Sequence, residues 1–142
     1  MKSSLKTGIT YEHKFTVNKN KLVPALYPEA AEFQEMPEVF ATGFLVGFLE
    51  WACLNAVIPH LDWPREQTVG THVSFSHEAA TPAGVEVTAK VKLVKVDGRR
   101  LVFEVEGYDE DGLISRGTHE RFVIDKDRFD DSLEKKRNKV RR

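Results

Sequence analysis

The sequence predicts an α+β fold in which an antiparallel, curved sheet wraps around one long central helix. Three observations carry that reading. Residues 37–61 contain the run GFLVGFLEWACLNAVI, which presents apolar side chains in every direction around a helix axis. A helix of that kind is buried on most sides. Residues 85–124 alternate apolar and polar side chains with a period of two, broken by turn signals at Asp97-Gly98 and at residues 109–112. Turns that short join only antiparallel neighbours. Finally, one sheet covers one side of one helix, so the uncovered apolar surface calls for a second subunit.

The elements follow in order. Residues 9–17, ITYEHKFTV, form a first strand with Tyr11, His13, Phe15 and Val17 on one side. Residues 22–39 carry Pro24, Pro28 and Pro37 among apolar and acidic side chains. They cannot be one regular element, and are expected as an irregular loop with a short helix over 29–34. The central helix, about six turns including its lead-in, runs to Pro59. The period then changes to two. In QTVGTHVSFSH, strict alternation puts Thr71, Val73, Phe75 and His77 on the face that meets the helix, with Gly70 and His72 on the other. Val85 to Leu93, Leu101 to Val105 and the segment LISRGTHERFVI complete an antiparallel meander. Residues 1–124 read as one domain, and residues 125–142 as a charged, solvated tail.

Composition excludes several classes. Lys and Arg number 21 against 22 Asp and Glu, so net charge argues for no nucleic acid or other polyanion as partner. Cys53 is the single cysteine, which rules out an internal disulfide and a cysteine-rich metal site. The N-terminus has no apolar stretch of the signal-peptide kind. The central run carries Glu50 and Asn55 and is short for a bilayer, so a cytoplasmic protein without membrane attachment is expected.

Glu50 is the misfit. Its same-face neighbours Val46, Gly47, Cys53 and Leu54 are all apolar, and a carboxylate there needs a partner, a proton or a watery cavity. His77, at the end of the inward face of the next strand, is the expected answer to it, as base or proton shuttle. Thr42 sits at the helix entrance, where threonine is a common N-cap. Gly70 leaves room for close approach to the backbone. Cys53 reads as an inert core thiol.

The run FQEMPEVFATGFLVGFLEWACLNAVIPHL, with VGTHVSFSHEAATPAGVEVTAKV and DGRRLVFEVEGYDEDGLISRGTHERFVI, resembles the fluoroacetyl-CoA thioesterase group of hot-dog fold enzymes. The similarity extends from about residue 15 to 124. It implies a homodimer that hydrolyses a small acyl-CoA without metal or prosthetic group; pairing of dimers into a tetramer is left open by the sequence. Thr42, Glu50 and His77 occupy the catalytic positions of that group, and Gly70 matches the glycine whose backbone approaches the thioester carbonyl. In that group two phenylalanines of the loop before the helix roof the acyl pocket. Phe33 matches the first, but Met36 stands at the second, so a different or broader acyl group is expected. Arg121 then has two readings, holding a CoA phosphate or pairing with an acid. The rival functions are a non-catalytic acyl-CoA-binding protein and a hot-dog enoyl-CoA hydratase; the hydratase's local Asp/His motif is not found here.

Overall fold

The computed structural model describes residues 1–141; Arg142, the last residue of the charged tail, lies outside them. Five antiparallel strands make one sheet: β1 (Thr10–Thr16), β2 (Glu66–Phe75), β3 (Glu86–Asp97), β4 (Arg100–Asp109) and β5 (Gly112–Asp125), in the spatial order β1-β3-β4-β5-β2. The β3-β4-β5 meander is the centre. It is joined by tight turns in which Gly98 (φ 59°) and Gly112 (φ 147°) take backbone conformations that side chains resist. β1 and β2 are its two edges.

Between them in sequence runs the long helix α3 (Thr42–Val57), shorter at its start than the 37–61 segment because residues 39–41 are extended. Phe40 accepts no helical role there; its N–H bonds to the Thr81 carbonyl at 2.8 Å, and Ala41 N–H bonds to the Lys21 carbonyl at 3.0 Å. The helix lies on the sheet's inner face. Leu45, Leu49, Ala52, Cys53 and Val57 meet Val87, Ala89, Leu93, Leu101, Phe103, Val105 and Ile114 in one closed core. Each leucine so buried contributes about 1.5–3 kcal/mol. Thr42–His60 is long and apolar enough by composition to cross a bilayer, contrary to the expectation from its length; packed as it is, it is a core helix.

Among the described residues, the opposite face of α3 is only partly covered. Gly47 has no atom within 4 Å of where a Cβ would be, and Trp51 is 48% exposed. This is the uncovered surface that the sequence anticipates.

The proline-rich stretch forms two single-turn helices, α1 (Val23–Leu26) and α2 (Ala31–Gln34). The Gln34 side-chain amide donates to the Pro24 carbonyl at 2.9 Å, with the Tyr27, Pro28 and Ala30 carbonyls 3.4–3.5 Å away. One side chain thus gathers the loop's carbonyls. Leu26 rests on α3 at Gly43, where a Cβ would come within 2.9 Å of Leu26 Cδ1. Residues Lys126–Val140 form a last helix, α4, N-capped by Asp125 and without a buried residue, consistent with a solvated tail.

Candidate active site

Thr42 opens α3, yet its hydroxyl does not cap it. The N-cap is Ala41, which supplies no side-chain bond. Thr42 Oγ1 instead lies 2.8 Å from Nδ1 of His77. His77 stands two residues beyond β2, and its Nε2 is closed off from solvent with no hydrogen-bond partner. Burial pulls its pKa below the ordinary histidine value, with a smaller opposing effect from the Ala79 backbone. A neutral imidazole bonded to a hydroxyl on one side and vacant on the other is equipped to take or give a proton. Thr42 and His77 border a cavity of about 390 Å³, walled by Val23, Met36, Pro37, Val39 and Phe40.

Met36 is therefore where a roof residue belongs. Phe33 is half-buried and does not wall this cavity; its ring stacks on Tyr27, with centroids 6.0 Å apart. Of the two positions, only Met36 lines this cavity.

Glu50 belongs to a second cluster. It lies eight residues after Thr42, about 12 Å further along the axis. Its partner in the protomer is Arg121, with Nη1 3.7 Å from Oε2, and not His77 as the strand pattern suggests. The two halves of the expected site thus stand apart within one chain.

Arg121 is only 4% exposed. Its Nε donates to Thr68 Oγ1 at 2.7 Å, its Nη2 to the Thr68 carbonyl at 2.9 Å, and its Nη1 to His119 Nε2 at 3.0 Å. A guanidinium so committed is no free phosphate clamp. Of its two readings, pairing with an acid is the one this geometry supports, since a buried cation requires such partners. His119, fully buried, donates Nδ1–H to the His72 carbonyl at 2.8 Å. Burial also lowers its pKa below the ordinary value.

Gly70 joins this cluster through an irregularity. The register of β2 against β5 shifts between Gly70 and His72, leaving Thr71 as the extra residue of a bulge. Strict alternation put Gly70 opposite to Val73 and Phe75. The bulge corrects it: Gly70 pairs with Arg121, Val73 with His119 and Phe75 with Gly117, all on the helix side. A Cβ on Gly70 would stand 3.2 Å from Glu50 Oε1 and 3.4 Å from both Arg121 Nη1 and His119 Cε1.

Sequence reasoning gave His119 no role. The available signal was two large polar side chains, His119 and Arg121, at alternate positions in step with apolar Val123 on the inner face of β5. Cys53 lies one turn from Glu50, where burial pushes its thiol up to about 12, as an inert core thiol should be.

Residues 25–127 match the family described as fluoroacetyl-CoA-specific thioesterase. The fluoroacetyl-CoA thioesterase of Streptantibioticus cattleyicolor is 46% identical over 136 residues, 96% of this chain and 97% of that one. The chain belongs to the fluoroacetyl-CoA-specific thioesterase family. A solved fluoroacetyl-CoA thioesterase structure superposes on this family member with a TM-score of 0.91 at 45% identity, covering 94% of this chain and 98% of the other. A Thermus thermophilus protein of the thioesterase superfamily, 23% identical, gives a TM-score of 0.85 over 98% of both chains. The latter likeness is one of fold alone. The helix-in-sheet architecture is the hot-dog fold.

Proposed function

We propose that this chain is an acyl-CoA thioesterase: it adds water across the acyl C–S bond of a short acyl-CoA and releases a carboxylic acid and free CoA. Family membership supports the reaction class. The observation that carries the chemistry is the 2.8 Å contact between Thr42 and a histidine that burial keeps neutral. At this site the thioester carbonyl approaches the Gly70 backbone amide, whose donor stabilises negative charge as it forms on oxygen. The acyl carbon is then beside Glu50, because Glu50 Oε1 borders the space over Gly70. Either Glu50 or Thr42 attacks that carbon and expels the thiolate, and water then opens the acyl-enzyme, or Glu50 deprotonates a water that attacks directly. In each route His77, bonded to Thr42, takes up the proton that the nucleophile or water gives up and passes it to the thiolate. No metal or prosthetic group enters this scheme.

The complete site is formed by a homodimer. β2 is an edge strand, exposed from Gly70 to Ser74, and exposed edges invite pairing with another copy. Antiparallel pairing of two β2 strands about Val73 would set Gly70 of one copy opposite residue 76 of the other. The Thr42–His77 pair of one protomer would then face the Glu50–Gly70 cluster of its partner across the seam. Met36 lines the pocket, so the acyl range is broader than fluoroacetyl and extends to other short acyl groups.

A thiol-release assay over short, branched, aromatic and halogenated acyl-CoAs tests the reaction. Turnover on the short members is expected, and saturable binding with no thiol released from any would replace hydrolysis by ligand binding. Single-turnover hydrolysis in heavy-oxygen water singles out the Glu50 acyl-enzyme route, since label in Glu50 requires attack by the carboxylate. Solution mass tests the dimer.

A further inference from the structure

We propose that His119 and Arg121 form a paired positioning device, a side-chain staple across the β2 bulge that holds the Gly70 amide and Glu50 in place for the thioester. The proposal rests on the thioesterase reading for its purpose, but its geometry stands independently of it. A bulge removes one residue from the ladder and is locally the weakest point of a strand. Here Arg121 grips Thr68, two residues before Gly70, through both side-chain and carbonyl oxygens. His119 grips the carbonyl of His72, two residues after Gly70. The Arg121–His119 bond at 3.0 Å closes the loop. The five residues 68–72 are thereby held at both ends with Gly70 in the middle. The same guanidinium nitrogen that meets His119 also faces Glu50.

The proton arrangement in this staple is dictated. The His72 carbonyl can only accept, so Nδ1 of His119 carries hydrogen. Arg121 can only donate, so Nε2 must offer its lone pair. A protonated ring would set N–H against N–H at a fully buried position. His119 is therefore neutral and in one tautomer. The two residues stand at i and i+2 of β5, which is why one strand face can deliver both. Burying a guanidinium is costly before its partners are counted, and an apolar pair at 119 and 121 would fill the space without that cost. What an apolar pair could not do is grip residues 68 and 72.

The test compares His119→Leu, which keeps bulk but neither bond, with His119→Gln, which can donate at one end and accept at the other. Expected for the leucine variant is a fall in kcat of about 10²-fold, the effect of misplacing a reacting group by about 1 Å, with KM little changed. Amide exchange at Gly70, Thr71 and His72 accelerates in the same variant, and glutamine restores much of both. A folded leucine variant with unchanged kcat and unchanged exchange at residues 70–72 overturns the proposal. Nitrogen NMR of the wild-type imidazole supplies the arm that needs no variant. Hydrogen on Nδ1 with a bare Nε2 at neutral pH is required, and the opposite tautomer or an imidazolium overturns the staple. Exchange and tautomer are read without substrate, so failure of every acyl-CoA to turn over would sink the proposed reaction while leaving these two measurements to decide the staple.

Discussion

Replacing Gly70 by alanine adds one methyl group at the point where the two requirements on this residue diverge. Gly70 is absent from the glycines with positive φ, so alanine meets no backbone penalty there, and the requirement for glycine is one of space. The new Cβ would lie 3.2 Å from Glu50 Oε1 and 3.4 Å from Arg121 Nη1, so a neighbour must yield by a few tenths of an ångström. Arg121, pinned to Thr68 and His119, cannot. Glu50, with its side chain 36% exposed, can lean toward solvent. Overpacking that is relieved this way costs about 1 kcal/mol, part of it offset by the reduced freedom of the unfolded chain. The melting temperature is therefore expected to move by no more than about 3 °C for a chain of this size. The same methyl keeps a carbonyl from the Gly70 amide, and loss of one such donor costs about 10²–10³ in rate, or roughly 3–4 kcal/mol. Thiol release and thermal unfolding on one preparation compare the two effects. Wild-type kcat/KM in Gly70→Ala would refute the approach of the carbonyl to this amide.

Four further outcomes are expected. His77→Ala should lose about 10²–10⁴ in kcat with its unfolding transition intact; retention of activity removes the proton-transfer role. Because burial depresses His77 and the neutral ring is the active form, kcat/KM should persist below pH 6.5 and fall only as pH drops through the lower folded pKa. An acid limb at or above pH 6.5 contradicts this. His13, His77 and His119 are all depressed by burial, so the unfolded chain binds more protons just below pH 6.5. Stability should then be full above that pH and decline as pH falls through the folded values, and a flat stability between pH 7.5 and 5.5, about one unit above the ordinary carboxylate values, would be inconsistent. A Cβ on Gly117 would sit 1.8 Å from the Ser74 carbonyl oxygen, so Gly117→Ala should cost more than about 4 kcal/mol, read by denaturant unfolding, and a variant of near-normal stability would show that β2 can shift away.

Much of the scaffold was legible because its signals are local. The alternation of Val87, Ala89, Val91 and Leu93, the Asp97-Gly98 turn and the apolar run through Leu45 and Leu49 each report on neighbours a few residues away. What escaped is long-range or an exception to a period. An inserted residue such as Thr71 leaves no mark in the composition of a strand, so strict alternation sent Gly70 to the wrong face. The pairing of Glu50 with Arg121 joins residues 71 apart, and no pattern along the chain announces it. Thr42 matched the statistics of an N-cap, but a competing imidazole took its hydroxyl. The stacking of Phe33 on Tyr27 is likewise a contact inside an irregular loop that no period reports.

The Gln34 clasp divides labour along the polypeptide. The stretch proposed to roof the acyl pocket is gathered mainly upon itself, and it leans on the helix entrance through Leu26 against Gly43. On the proposed reading, exchange of residues such as Val23 and Met36 would retune selectivity, as a hinged visor is changed without rebuilding the helmet, while Thr42, Glu50 and His77 stay untouched.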